Sequence, residues 1–235
     1  MDTVNSTMRT NPAATDPRLG GASSTPISAN AQRVLRNTHA LLAMTLLFSA
    51  GVAAAAVAFN LPAPGILLTL AGYFGLLFLV HKVQNSGAAL PAVFALTGFM
   101  GYTLGPLLAK TLTLPGGAQS ITMALTATGA TFLALSAYAQ VSKRDFSAMG
   151  GFLFAGMVIA ILAGLGAMFF QIPALSLAVS AMVALLSAGL ILFETSRIVN
   201  GGETNYVLAT VSLFVSIFNL FTSLLSLFGY GSSND

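Results

Sequence analysis

Seven apolar runs of about 20 residues follow one another down the chain, separated by short breaks. They cover residues 39–59, 66–80, 89–109, 120–141, 149–170, 175–194 and 205–228. Lipid offers no partner to a bare backbone N–H or C=O, so runs of this length predict transmembrane helices. The breaks carry turn signals. Asn60-Leu61-Pro62-Ala63-Pro64-Gly65, Leu114-Pro115-Gly116-Gly117 and Gln171-Ile172-Pro173 are uncharged, whereas other breaks hold His81-Lys82, Lys143-Arg144-Asp145 and Arg197. Phe59-Asn60-Leu61-Pro62-Ala63 is faintly echoed by Phe170-Gln171-Ile172-Pro173-Ala174, as an old internal repeat would leave it.

The seventh run has the most regular polar pattern. Asn205, Ala209, Ser212, Ser216, Asn219, Ser223 and Ser226 are spaced 4, 3, 4, 3, 4 and 3 residues apart, which puts them on one helix face. The other faces carry Leu208, Leu213, Phe214, Phe218, Leu220, Phe221, Leu224 and Phe228. Such a helix needs apolar surroundings on most sides and a packed or polar neighbour on one. The remaining segments then read as a wall around it. The stripe is either a small-residue seam or the lining of a water-filled path. Serines can satisfy themselves on carbonyls of their own helix. Asn219, an amide at mid-membrane, is expected to bond between helices. Gly98, Gly101 and Gly105 in the third run, with Gly156 and Gly164 in the fifth, read as sites of close helix approach.

Residues 1–30 have a different character from the seven runs. They are rich in Ser, Thr, Asn, Pro, Gly and Ala, and read as a disordered tail rather than a signal peptide. Residues 31–229 form the membrane domain, and 230–235 a short C-terminal tail. Composition agrees with this organisation: 56% hydrophobic, 6% charged and mean hydropathy +0.86, against roughly 25% charged in a soluble domain. The net charge of +3 is not a nucleic-acid signal, because the few cations sit at segment ends. Seven crossings from a cytoplasmic N-terminus place Arg9, Arg18, Arg33, Arg36, Lys82, Lys143, Arg144 and Arg197 inside and Lys110 outside. The C-terminus is then periplasmic. A re-entrant seventh segment, with the C-terminus inside, is the alternative.

Several chemistries are set aside by residue type. Cysteine is absent, which removes thiol catalysis and thiolate metal sites. The two histidines, His39 and His81, lie in different segments, too few for a metal centre. No lysine follows Lys143, so a retinal Schiff base on the last helix is impossible. No HExxH occurs, and no histidine accompanies the membrane serines beyond the segment ends. What remains is Glu194, preceded by Leu190, Ile191, Leu192 and Phe193, with Arg197 three residues on. One reading is an interfacial ion pair that ends the sixth helix. The other is a titratable gate coupled to helix position. Glu203 reads as a helix-start carboxylate, and Gly201-Gly202 as the freedom the turn needs.

Specific runs carry a resemblance. They are Gln32-Arg33-Val34-Leu35-Arg36-Asn37-Thr38, Leu61-Pro62-Ala63-Pro64-Gly65, and Thr97-Gly98-Phe99-Met100-Gly101-Tyr102-Thr103-Leu104-Gly105-Pro106. To these add Phe193-Glu194-Thr195-Ser196, Gly201-Gly202-Glu203-Thr204-Asn205-Tyr206 and Ser216-Ile217-Phe218-Asn219-Leu220-Phe221. Over residues 31–229 the chain resembles the Bax-inhibitor (transmembrane Bax-inhibitor motif) family, in its bacterial YccA-like branch. The resemblance implies an all-α membrane fold of seven helices, the seventh surrounded by the other six. It makes Gly105, Pro106, Gly201, Gly202, Glu203 and Tyr206 family-motif residues. Glu194, Arg197, Ser216 and Asn219 become the candidates for pH sensing or gating. It also implies a non-enzymatic inner-membrane protein without a cofactor. Its partner would be the ATP-dependent membrane protease FtsH, with or without that protease's associated membrane regulators, and its role that of regulator and possible substrate. In the wider family two acids on the sixth and seventh helices form a pH-sensitive pair associated with calcium leak, which is the alternative function. Glu194 matches the first acid. The second falls on Ser216, so a proton-sharing pair cannot form at these positions.

Overall fold

A computed structural model describes residues 27–142 and 144–231. Arg9, Arg18 and Lys143, with most of both tails, lie outside the described residues. Among the described residues seven helices are long and apolar enough to cross a membrane, and the chain is an all-α, multi-pass membrane protein. They are α1 (Ala29–Ala58), α2 (Ile66–Val83), α3 (Ala89–Leu112), α4 (Gly117–Ser142), α5 (Gly150–Phe170), α6 (Pro173–Val199) and α7 (Tyr206–Gly231). Helices α1, α3, α5 and α7 begin on one face of the bundle, called here the N-terminal face.

Helix α1 starts ten residues before its apolar run, inside the stretch that composition assigns to the tail. Ser28 caps it, accepting a hydrogen bond from the Ala31 N–H at 3.2 Å. Over this first part Ala31, Val34, Thr38 and Leu41 are buried while Gln32, Arg33, Arg36 and Asn37 are exposed. That is a 3.6-residue period, which a search for continuous apolar runs does not see. At the other end α7 continues to Gly231, into the segment read as a C-terminal tail.

Helix α7 is the centre. None of its residues from Val207 to Gly229 is exposed. It packs directly on α6, α4, α1 and α3. The expected ring of six is therefore two layers: α2 leans mainly on α3, and α5 mainly on α6. These two helices turn bulky side chains outward, among them Leu67, Phe74 and Phe78 of α2 and Phe152, Phe154 and Phe169 of α5. Only lipid can solvate such a surface.

Glycines allow the tightest approaches. In α3, a Cβ at Gly101 would run into the Ser49 carbonyl oxygen of α1, and one at Gly105 into Ala56. A Cβ at Gly98 would lie 2.8 Å from Phe48. The α5–α6 contact is built from both sides, Gly156 against Leu186 and Gly189 against Leu153, each at 2.7 Å. Pro106 stands inside α3, one residue past this seam.

The echoed motif is structural as well as sequential. Among the described residues Asn60 and Gln171 are the non-glycine positions with positive φ, at 50° and 52°. Each is followed by an apolar residue whose N–H reaches five residues back: Leu61 to the Ala56 carbonyl at 2.9 Å, Ile172 to the Ala167 carbonyl at 3.1 Å. The same left-handed stop thus ends α1 and α5.

Candidate functional site

The polar groups concentrate where α6 ends and α7 begins. The sequence of the α6 terminus accounts for its shape. Gly201, at φ +77°, takes the left-handed position. The Gly201 N–H donates to the Ile198 carbonyl at 3.2 Å, and the Gly202 N–H to the Arg197 carbonyl at 2.8 Å. This closure reverses the chain and returns Glu203 to the residue it left six positions earlier.

Arg197 consequently holds two carboxylates. Its Nη1 donates to Glu194 Oε2 at 3.3 Å, and its Nη2 to Glu203 Oε2 at 3.2 Å. Its guanidinium also lies over the Phe193 ring, 5.5 Å from the centroid. Glu194 is 8% exposed. The i, i+3 pair expected from the sequence is present, and Glu203 joins it. Nothing in residue spacing signals this, because the return depends on the backbone reversal at Gly201. Glu203 keeps its expected helix-start role through its other oxygen, Oε1, which accepts the Asn205 N–H at 2.9 Å.

Asn205 extends the cluster. Its Oδ1 caps α7, accepting from the Val207 N–H at 2.9 Å and the Leu208 N–H at 3.4 Å. Its Nδ2 donates across to the α2–α3 turn, to Asn85 Oδ1 at 3.1 Å and Gln84 Oε1 at 3.3 Å. A cleft of about 500 Å³ lies between that turn and the start of α7, with Tyr206 among its walls.

Ser196, almost fully buried, fastens the α4–α5 connection to the same end of α6. Its Oγ donates to the Arg144 carbonyl at 2.8 Å and accepts the Phe146 N–H at 3.2 Å and Asn200 Nδ2 at 3.1 Å. Just beyond, Asp145 Oδ1 accepts both the hydroxyl and the N–H of Ser147, and these bonds hold its exposed carboxyl below the usual carboxylate range. Ser196→Ala leaves the half-buried Phe146 N–H without its partner, while the Arg144 carbonyl keeps Asn200 Nδ2 at 3.2 Å. It should lower stability by about 1 kcal/mol, read as a shifted thermal midpoint in detergent. Ser147→Ala, at the exposed turn, should shift it far less.

The other candidates are placed elsewhere. Ser216 is 3% exposed, and its hydroxyl donates to the Ser212 carbonyl of its own helix at 2.9 Å, not to Glu194. Ser226 likewise donates to the Thr222 carbonyl at 2.9 Å. Both hydroxyls are thus satisfied on their own helix. Asn219 is half-buried, but its amide makes no hydrogen bond to any described residue; the interhelical bond expected of it is not formed. Its neighbours in sequence, Phe218 and Leu220, are apolar and offer none. Gly105 belongs to the α1–α3 seam and Pro106 follows it in α3, far along the chain from this cluster.

Residues 31–234 match the family described as Inhibitor of apoptosis-promoting Bax1. The chain is 49% identical over 200 residues to the Escherichia coli K12 protein named Modulator of FtsH protease YccA, covering 85% of this chain and 91% of that one. It shows the same identity and coverage with the protein named Inner membrane protein YccA from Escherichia coli O6:H1. An uncharacterised protein of Pseudomonas aeruginosa is also 49% identical, over 86% of this chain and 91% of its own. A family match over residues 31–234, together with relatives 49% identical across most of their length, means that the chain belongs to the Bax-inhibitor family.

Proposed function

We propose that this chain is a non-enzymatic modulator of the membrane-bound, ATP-dependent protease FtsH in the bacterial inner membrane. The observation that carries the reading is the 49% identity, across nearly the whole of both chains, with the relative named as such a modulator. The N-terminal face is cytoplasmic in this reading. Among the described residues it carries Arg33, Arg36, Lys82, Arg144 and Arg197, and the opposite face carries Lys110.

The division of the chain supports a mechanism. Residues 1–26 have the polar composition of a segment that an ATP-driven protease can grip. The bundle behind them is closely packed at its glycine seams. The protease engages the first and is slowed at the second, and other substrates wait. Calcium leak at Glu194 is less well supported, since Arg197 already lies between Glu194 and Glu203. Unchanged calcium flux in Glu194→Gln proteoliposomes would remove that alternative.

The test is co-purification from crosslinked membranes. FtsH should be retained with the full chain, and its absence from the retained fraction overturns the proposal. Deleting residues 1–26, which spares the Ser28 cap, should slow degradation of this chain by FtsH several-fold.

A further inference from the structure

Helices α2 and α3 part beside their connecting turn, and a groove of about 300 Å³ opens between them. Leu79 and Val83 form one wall, Pro91, Ala92 and Ala95 the other, with Ala88 at the turn. Every lining side chain is apolar. The size is at the lower end of ligand pockets, which span roughly 300–1,000 Å³. Leu79, Ala88, Pro91 and Ala95 are exposed, so the groove opens outward, where the membrane lies. Bulky residues such as Phe74 and Phe78 cover the rest of the outer surface of α2. Here alanines leave a trough instead.

The rim of the groove is positive. Lys82 lies three residues after Leu79, on the same side of α2, and is exposed. It forms no ion pair among the described residues. No acidic residue occurs from position 66 to position 112, so neither helix supplies it a counter-ion. Helix α3 starts seven residues on, at Ala89 across the connecting turn, with Ala88 at the cap position and no side chain capping the helix. The positive end of the helix dipole therefore adds to the charge of Lys82. An apolar trough near an exposed cation, at the end of a span, has the layout of a phospholipid.

We propose that this groove holds one acyl chain of an anionic glycerophospholipid, with its phosphate held by Lys82 at the start of α3. The lipid belongs to the leaflet on the N-terminal face. Its chain fills space beside α2 that no other helix covers. Lys82 acts by charge and the groove by shape, so the two contributions separate in experiment.

Native mass spectrometry of the full chain, delipidated in detergent, is the test. Phosphatidylglycerol and phosphatidylethanolamine would be titrated separately. The wild type should retain one phosphatidylglycerol several-fold more than phosphatidylethanolamine. Lys82→Gln should reduce that preference to near one. Ala95→Phe, which fills the trough from an exposed position, should lower retention of both lipids. If that variant does not fold, Ala88→Leu occupies the same space from the turn. Equal retention of the two lipids by the wild type overturns the proposal, as does unchanged binding in either variant. Glycerol phosphate is the control, and binding as tight as the lipid's would make the site a headgroup contact without the groove. None of these readouts involves FtsH.

Discussion

A Gly101→Leu variant will fail to assemble the bundle. A Cβ at this position would run into the Ser49 carbonyl oxygen, with the Ser49 hydroxyl 2.9 Å away. The obstruction is backbone, which cannot rotate aside as a side chain can. Overpacking of this kind costs about 1–3 kcal/mol, occasionally more. Leucine adds three further carbons within one of the two most extensive helix contacts in the fold, that of α1 with α3. Several such clashes together approach the low end of a total stability of about 5–15 kcal/mol, and at that point the folded population is lost. Gly129→Leu is the matched control, because nothing lies within 4 Å of a Cβ there and the position is exposed. Size-exclusion profiles of the solubilised proteins should show a monodisperse peak for the control and aggregation for Gly101→Leu. Gly101→Ala should fall between them. A Gly101→Leu protein as stable as its parent would mean that α1 and α3 have room to spare at this seam.

Arg197→Gln is expected to be the most damaging change to the charged cluster, and Glu194→Gln should partly rescue it. Arg197 is shared by Glu194 and Glu203, whose side chains are 10% and 13% exposed. Removing the cation leaves two nearly buried carboxylates facing each other. Breaking a buried pair from one side costs about 3–5 kcal/mol. The lower end applies, since the Arg197 side chain is itself 32% exposed and some of its charge is already solvated. In the Arg197→Gln/Glu194→Gln double variant only Glu203 remains charged, and its Oε1 still has the Asn205 N–H. Thermal midpoints of the four proteins form a double-mutant cycle. A cycle without coupling would mean that the ion pair contributes nothing beyond two separate residues.

Much of the architecture can be read along the chain because lipid imposes a local rule. Each crossing must satisfy its own backbone, so each announces itself as an apolar run of fixed length. The polar stripe of α7 is legible for the same reason, through its 3.6-residue period. What escapes is whatever depends on distant residues. Ser196 holds Arg144 and Phe146, about fifty positions away, and no local pattern marks that bond. The outer placement of α2 and α5 is equally invisible, because their sequences are as apolar as those of the helices that touch α7. At the site, the Glu194–Arg197 pair follows from helical spacing. Glu203 does not, because it returns to Arg197 only through the left-handed turn at Gly201. Asn219 shows the opposite error. A mid-membrane amide is expected to find a partner across helices, and no described residue supplies one.

The central helix is also the last of the seven to be synthesised. While the ribosome is still delivering α6, the faces of α1, α3, α4 and α6 that will meet α7 have nothing between them. The α1 face includes Thr38, whose carbonyl accepts the Thr210 hydroxyl of α7 at 3.4 Å. A chain halted before residue 206 would lack that partner. The inner packing of this fold therefore cannot be completed until α7 is inserted, because four of the six preceding helices pack on it.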